Sequence, residues 1–271
     1  MKKVPLEEQK IILVDMLSSF DSFCRRNDIE YSVTWGTLIG AIRHQGFIPW
    51  DDDVDVMLDR KNYEKFLVLY KNSNEKYPLL SLRNDKRWCH TFSRIVDTST
   101  KVVWTDNIQN RLEKHGLWID IMAVDNVPED SLYINASHNY QNYEKLGRIS
   151  RAFYKHKGSL LKNLVLWIAH FVLHPFSGLF FNKAESIMQS YNNVCCERMY
   201  YWHLFWGGNT NSKPFISDYF THGYIDAKFE GLSVRAIKEY DSYLRNVYGN
   251  YMELPPVEKR VSNHICDIYY V

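Results

Sequence analysis

The sequence lacks several features that would assign its class at once. Its 33 Lys and Arg residues are balanced by 32 Asp and Glu residues, so it has no basic excess for nucleic acid, and we expect no such partner. Its five cysteines form neither an even set nor a Cys-x-x-Cys pair, which predicts reduced thiols. The adjacent Cys195 and Cys196 have no two further ligands at a readable spacing, which argues against zinc.

A secretion signal is also missing from the start of the sequence. The opening Met-Lys-Lys-Val-Pro is followed at once by Glu7 and Glu8, where a signal peptide would have a charge-free apolar segment. We therefore expect a cytoplasmic protein, with the inner face of the cell membrane as an alternative place of action.

A long uninterrupted apolar run is absent too, although residues 160–181 come close to one. Lys162, Asn163, His170, His174 and Pro175 interrupt this stretch, and a membrane span needs about 20 predominantly apolar residues. Two interpretations stay open. One is a helix lying in the lipid interface, which gives peripheral membrane contact. The other is a buried helix pair broken near Pro175.

What the sequence does have is a dense acidic stretch, preceded by a glycine and a hydroxyl residue at Gly36 and Thr37. Asp51, Asp52, Asp53 and Asp55 place four carboxylates within five residues. Like charges this close repel, so either some of them take up protons or a hard cation binds them.

The spacing within the acidic stretch favours the cation. On an extended strand, Asp53 and Asp55 share one face while Val54 and Val56 point to the core, and such a carboxylate pair suits Mg²⁺ (or Mn²⁺). A solvated acidic turn is the alternative.

Two groups near the acidic stretch carry features that suit phosphate. The backbone amides beside Gly36 can approach an anion closely, and Thr37 can offer a hydroxyl or cap the following helix. Arg43 can neutralise phosphate charge or tether the acidic run by a salt bridge. Arg94 alternates with Ile95 on a predicted strand and becomes a second substrate contact if its face is the active-site face.

The motif from Phe47 to Asp55, Phe-Ile-Pro-Trp-Asp-Asp-Asp-Val-Asp, resembles the LicD family of the nucleotidyltransferase superfamily. Residues 229–231, 240–244 and 248–256 are similar to the closing motifs of that family, while residues 130–220 match poorly. The resemblance implies that the turn at Gly36 holds nucleotide phosphates. It also implies that the tail carrying His264 packs near the active site, where His264 is either a substrate contact or a polar tether.

The resemblance requires a third acid on a neighbouring strand, and Asp120 is the candidate. It interrupts the apolar run from Leu117 to Val124, where a bare charge would be very costly. The metal set is then Asp53, Asp55 and Asp120, and either Asp51 or Asp120 takes the proton of the attacking hydroxyl. Asp125, at the end of this run, is interpreted as structural.

The resemblance implies a phosphotransferase that moves phosphocholine from CDP-choline to a hydroxyl of a surface glycan, such as a teichoic acid precursor or another lipid-linked glycan, and releases CMP. Relatives in the fukutin group use CDP-ribitol, so another CDP-alcohol remains an alternative donor. An aromatic cage can hold choline by cation–π attraction, and Trp35, Trp50, Trp88 and Trp104 are candidates by residue type.

Two other functions remain as hypotheses. One is a true nucleotidyltransferase that releases pyrophosphate, and the other is a non-catalytic glycan-binding protein.

The predicted fold class is α+β, with a nucleotidyltransferase-like core in which helices flank a mixed sheet. We expect the catalytic core at residues 1–128, a mainly helical insertion at 129–228 that offers a membrane or acceptor surface, and a C-terminal module at 229–271. Within these, periodicity predicts helices over residues 6–27, 60–70, 183–202 and 234–247.

Overall fold

The chain folds into helices packed around a mixed β-sheet, which confirms the α+β class. The computed structural model describes residues 1–104, 108–110, 115–152, 154–156, 158–194, 198–202, 215–216, 218–261 and 266–271. Among the sequence candidates, His264, Cys195 and Cys196 lie outside the described residues.

The α-helices, in chain order, are α1 (Leu6–Arg26), α2 (Trp35–Ile39), α3 (Arg60–Lys71), α4 (Asp130–Arg151), α5 (Leu160–Leu173), α6 (Ser177–Gln189), α7 (Asp218–Thr221) and α8 (Tyr240–Tyr248). Short helical segments of other types cover Gly40–His44, His174–Phe176 and Val257–Lys259.

The strands are β1 (Ser32–Val33), β2 (Asp55–Asp59), β3 (Leu79–Leu80), β4 (Ser93–Val96), β5 (Thr100–Trp104), β6 (Ile108–Asn110), β7 (Trp118–Val127), β8 (Tyr154–His156), β9 (Arg198–Tyr200), β10 (Phe215–Ile216), β11 (Tyr224–Phe229), β12 (Leu232–Ile237) and β13 (Cys266–Tyr270).

The main sheet has the order β1-β2-β7-β4-β3, with β9 pairing beside β7 and β10 beside β9. Strands β2 and β7 run parallel, while β1, β4 and β9 pair antiparallel to their neighbours. The parallel register places Asp55 opposite Asp120, and the antiparallel register places Arg94 opposite Asp120. Three charged residues, Asp55, Asp120 and Arg94, therefore occupy neighbouring positions on three adjacent strands of the main sheet.

Packing explains why these strands form. Val54, Val56, Ile119 and Ile121 are fully buried, as the alternation in both apolar runs predicts. Helix α1 lays Leu13, Met16, Leu17 and Phe20 into the same core, with its acidic residues in the first turn and its basic residues in the last. Its predicted extent of residues 6–27 is confirmed to within one residue.

The closing segment, which begins at Phe229, folds differently from its prediction. Residues from Val234 were expected to begin a helix, but β11 and β12 form a hairpin through this point and α8 begins only at Tyr240. The hairpin turns at Glu230 and Gly231, both with positive φ. The helix does end at Gly249, also with positive φ, as its glycine stop predicts.

The middle of the chain is mainly helical, with three corrections. The apolar stretch is broken at His174–Phe176, which contains Pro175, but its interpretation as a buried helix pair is wrong for α5, where Leu161, Trp167 and Phe171 are exposed. The helix predicted over residues 183–202 instead ends at Gln189, and Arg198–Tyr200 forms β9 on the main sheet. Asp125 lies within β7, which runs on to Val127, where the sequence predicted a turn.

Candidate active site

The acidic stretch lies where the chain enters the main sheet. Asp51, Asp52 and Asp53 precede β2, and each offers a carboxylate oxygen within 4.8 Å of the other two. Asp55 begins β2 and is only 6% exposed. The stretch thus runs from half-exposed carboxylates into the sheet, with its most buried member next to Asp120.

Thr37 fixes the start of β2. Its hydroxyl accepts a hydrogen bond of 2.9 Å from the backbone N–H of Asp55, and Thr37 itself is buried. The predicted turn at Gly36 and Thr37 is wrong, because both residues lie within helix α2 and the residue at its N-cap is Thr34. Thr37 therefore orients the acidic strand and does not cap the helix.

Gly36 makes room for Asp51. A Cβ atom on Gly36 would lie 2.5 Å from Oδ2 of Asp51, far inside van der Waals contact. Only glycine allows this carboxylate to lie against the first turn of α2. The residue before it, Trp35, adopts a positive φ of 46°, which is unusual for a bulky side chain.

Asp120 is bound by two donors on the sheet. Arg94 Nε lies 2.5 Å from its Oδ1, and Trp118 Nε1 donates to its Oδ2 at 3.0 Å. The sequence argument that this aspartate must be paired or liganded is met by these contacts. A carboxylate oxygen has two lone pairs, so Oδ1 retains the capacity to face a cation as well.

Arg94 is 7% exposed and surrounded by rings. Its guanidinium carbon lies 4.5 Å from the ring centre of Trp118, and Trp88 and Phe92 flank it at 5.6 and 5.3 Å. The aromatic walls hold the guanidinium in a fixed orientation on Asp120. Trp88, a candidate for the choline cage, is thus packed on Arg94.

Electrostatic crowding is strongest at Asp55. Burial raises the pKa of its carboxyl well above the ordinary value, and the charges of Asp53, Asp120 and Asp51 raise it further, while Arg94 lowers it. Arg94 is the described basic residue that offsets this effect by lowering the pKa of Asp55. The site holds more negative charge than its own cations neutralise.

These residues fit a hard divalent cation. The carboxylates that come within 4.8 Å of one another are those of Asp51, Asp52 and Asp53, whereas the predicted set of Asp53, Asp55 and Asp120 does not form such a group among the described residues. A bound cation would relieve the repulsion that raises the pKa of Asp55. The donor set contains no described thiol or imidazole that would favour zinc.

A cleft with a volume of about 460 Å³ opens onto the acidic stretch. Gly36, Arg43, Trp50, Asp51, Asp53 and Asp55 line it, so six of the sequence-predicted site residues share one cavity. Thr37, Arg94 and Asp120 do not line it: Thr37 is buried in helix α2, while Arg94 and Asp120 lie on strands β4 and β7 of the sheet. The cleft is large enough for a nucleotide-sized ligand.

Arg43 joins the cleft floor to the closing segment. Its Nη1 donates to the backbone oxygen of Tyr251 at 2.5 Å and to that of Glu253 at 3.3 Å. Within the described part of the chain Arg43 forms no ion pair, so the predicted salt bridge to the acidic run is not found there. Burial lowers the pKa of its guanidinium, which remains positive at neutral pH.

Three residues of the far wall of the cleft, Tyr248, Tyr251 and Glu253, were not among the candidate site residues, whereas Trp35 was a candidate for the choline cage. All four line this wall, and all but Trp35 come from the closing segment about two hundred residues downstream of Arg43. The signal was the aromatic pair in the motif from Tyr248 to Pro256, which had been interpreted only as a family feature. Periodicity says nothing about such a distant contact.

Glu230, at the tip of the β11–β12 hairpin, supports the loop before the acidic stretch. Its side chain accepts a hydrogen bond of 3.0 Å from the N–H of Phe47, and its own N–H donates to Gln45 at 3.0 Å. Phe229 packs on Phe47 with ring centres 4.9 Å apart. The Phe-Glu-Gly motif therefore positions the acidic segment and lies outside the cleft lining.

Comparison with known proteins gives two findings. Residues 28–170 match the family model described as LicD/FKTN/FKRP, nucleotidyltransferase domain. The chain is 31% identical, over an alignment of 275 positions, to the lipopolysaccharide cholinephosphotransferase LicD of Haemophilus influenzae, and the alignment covers 99% of both chains. It is also 24% identical over 149 residues to an uncharacterized protein of Rickettsia prowazekii, which covers 55% of this chain and 52% of that one.

Proposed function

The chain belongs to the LicD family, and from this premise we propose that it is a metal-dependent phosphotransferase that moves phosphocholine from CDP-choline to a glycan hydroxyl. The observation that carries the proposal is the cleft in which a carboxylate cluster, one arginine and aromatic side chains lie together. The cholinephosphotransferase activity in the name of the Haemophilus relative supports the choline part of the donor.

The proposed ligands of a Mg²⁺ or Mn²⁺ ion are Asp53 and Asp55, which line the cleft, and Asp120, which lies outside the lining on the strand beside Asp55. Such an ion, when bound, neutralises charge on phosphate oxygens. Arg94 sets the orientation of Asp120 through the contact between Nε and Oδ1, so it acts as a positioning residue and not as a direct phosphate contact. This assignment revises the predicted role of Arg94 while keeping it essential.

Arg43 is the phosphate-binding cation within the cleft. Its Nη1 donates to two backbone oxygens of the closing segment and its Nε donates to His44, which leaves the N–H groups of Nη2 as the proposed donors to phosphate. A guanidinium at this position stabilises charge on the departing CMP.

Asp51 is the better placed of the two candidate general bases. Its carboxylate lies against Gly36 and lines the cleft, whereas Asp120 lies beneath and is bonded to Arg94 and Trp118. In the proposed step, the acceptor oxygen bonds to the phosphorus that carries choline, and the bond from that phosphorus to the bridging oxygen of CMP breaks. Asp51 takes the proton of the acceptor hydroxyl.

The aromatic wall supports a quaternary ammonium donor. Trp35, Trp50 and Tyr248 line the cleft, and Glu253 adds a carboxylate to the same wall. Aromatic faces around a trimethylammonium group attract it by cation–π interaction at about 0.5 to 2 kcal/mol per contact. Of the four tryptophans named as candidates, Trp35 and Trp50 line the cleft.

The test is to incubate the purified protein with Mg²⁺, a panel of CDP-choline, CDP-ribitol and CDP-glycerol, and glycan acceptors, and to measure CMP. We expect CMP release with CDP-choline that depends on both metal and acceptor. Pyrophosphate release from CTP without CMP release would instead identify a nucleotidyltransferase. Glycan binding with no turnover of any donor would identify a binding protein.

A further inference from the structure

Helix α5 exposes a continuous apolar surface that the cleft chemistry does not use. We define the α5 apolar surface by six side chains that are each 45–73% exposed. These are Leu161, Leu164, Trp167, Ile168, Phe171 and Phe176. A soluble protein exposes single apolar side chains routinely, but a contiguous group of this size marks an interaction site.

The surface is held rigidly in this orientation by the opposite side of the helix. His170 Nδ1 donates to the backbone oxygen of Ile149 at 3.0 Å, and His174 Nδ1 donates to that of Ser150 at 2.8 Å. Both bonds fasten α5 to the last turn of α4. Helix α6 buries Phe181, Ala184 and Met188 against the body, so the segment cannot rotate to hide its apolar side.

The segment that carries this surface contains charges of one sign. Between residues 145 and 184 the sequence contains seven Lys and Arg residues and no Asp or Glu, in a chain whose net charge is only +1. Lys162 and Lys183, on α5 and α6, are both exposed. An apolar face with a basic border is complementary to an anionic, amphipathic partner.

From these observations we infer that the α5 apolar surface docks onto the surface of an anionic lipid bilayer, with α5 lying in the plane of the interface. Apolar side chains would enter the boundary between headgroups and acyl chains, while the lysines meet lipid phosphates. The inference rests on this surface and not on the chemistry proposed for the cleft.

Two other occupants fit less well. A second copy of the chain, docking through the same patch about a two-fold axis, would bring basic borders face to face with no acid between residues 145 and 184 to compensate. An unrelated protein partner would need an apolar groove with acidic edges. No feature of this chain selects a groove of that kind.

A membrane-spanning arrangement conflicts with the packing. Taken together, Leu160–Gln189 has the length and composition of a helix that crosses a membrane, with 11% of its most apolar part buried. However, α6 packs into the protein body, and the 14 residues of α5 alone extend about 21 Å, short of the roughly 30 Å hydrocarbon layer.

The test compares vesicle binding of the wild-type protein with that of the triple variant Trp167→Ser, Phe171→Ser, Phe176→Ser. Vesicles of phosphatidylcholine alone and of an equal mixture with phosphatidylglycerol are spun down, and bound protein is measured. We expect binding to the mixed vesicles and an affinity loss of at least about tenfold in the triple variant. The matched control Ile11→Ser, Val68→Ser removes similarly exposed apolar side chains elsewhere and should bind like wild type.

Lys162→Glu with Lys183→Glu should weaken binding to the mixed vesicles and remove the preference for anionic lipid. If circular dichroism shows that the triple variant does not fold, quenching of tryptophan fluorescence by brominated lipid tests whether Trp167 contacts the bilayer. Wild type should be quenched, and Trp167→Phe should lose most of that quenching. Unchanged vesicle binding in the folded triple variant overturns the inference. So does a wild-type protein that ignores vesicles and dimerises through this surface in light scattering.

Discussion

Asp55 and Asp120 occupy paired positions on the parallel strands β2 and β7. The pairing sets two acidic side chains side by side at the centre of the main sheet, in a neighbourhood where almost every other position is apolar. Two such carboxylates repel each other and destabilise the fold unless a base or a bound cation offsets their charge.

Replacing Asp53 or Asp55 with Asn should lower the rate of CMP release by on the order of 10²–10³, because each change removes one negatively charged ligand for the cation. Steady-state CMP assays at saturating Mg²⁺ measure this loss, and circular dichroism checks the fold. Asp226→Asn, which alters an exposed carboxylate paired with Arg25, is the matched control and should keep the wild-type rate. A wild-type rate in Asp55→Asn would contradict the metal assignment.

Gly36→Ala should lower turnover with little loss of stability. The added Cβ would lie 2.5 Å from Asp51 Oδ2 and push the proposed base out of position. Gly178→Ala is the control: its Cβ meets nothing within 4 Å, and within helix α6 it should raise stability by about 0.5–1 kcal/mol. Kinetics and thermal denaturation of both variants distinguish a displaced carboxylate from a helix effect.

Asp55 should make the metal-free protein less stable as pH rises. Its carboxyl has a folded pKa above the ordinary value of 3.8, so the folded chain holds this proton more tightly than the unfolded chain. The resulting stabilisation is complete below 3.8 and is lost as pH rises through the raised pKa.

Thermal midpoints in EDTA, measured from about pH 4 to about pH 8, should therefore fall more steeply for wild type than for Asp55→Asn. Added Mg²⁺ should restore the wild-type midpoint at the upper end and have little effect on the variant. Parallel curves for the two proteins would show that Asp55 is not the titrating group.

Arg94→Ala should cost about 3 kcal/mol of stability, because it removes the ion-pair partner of the largely buried carboxylate of Asp120 and leaves only the hydrogen bond from Trp118. The comparison is Arg60→Ala, which removes the arginine bonded to the fully buried Asp125 at 2.8 and 2.5 Å. Both variants should be destabilised similarly in urea. Only Arg94→Ala should also weaken Mg²⁺ binding. The Mg²⁺ concentration that gives the half-maximal rate, measured on the folded fraction, should rise for this variant alone.

Trp50→Leu should reduce discrimination between donors. Loss of one aromatic face from the cleft removes a cation–π contact with choline but no contact specific to a neutral alditol. We expect kcat/KM for CDP-choline to fall about tenfold while that for CDP-ribitol changes little. Trp104→Leu, outside the cleft lining, serves as the control; equal losses for both donors would remove the choline cage from the proposal.

Local patterns in the sequence were enough to predict the parts of the site that are close together in the chain. The alternation around Asp55 indicated a strand, and the isolated charge at Asp120 indicated a buried acid with a partner; β2, β7 and the contact with Arg94 agree with both. These inferences succeed because the apolar pattern that marks a buried strand lies within the sequence of that strand.

The parts that failed depend on contacts between distant segments. Gly36 was predicted to lie in a turn, but it lies within helix α2, and its lack of a side chain gives space to Asp51, fifteen residues later. Val234 has neighbours compatible with a helix, yet the pairing of β11 with β12 and the left-handed turn at Glu230 decide its conformation. No periodicity reports which backbone will lie beside a given residue in the folded chain.

The bonds from Arg43 to Tyr251 and Glu253 have a consequence for biosynthesis. During translation, the acidic motif is synthesised about two hundred residues before the segment that lines the far wall of the cleft. The cleft of a nascent chain is therefore incomplete until the segment that carries Tyr251 and Glu253 has left the exit tunnel.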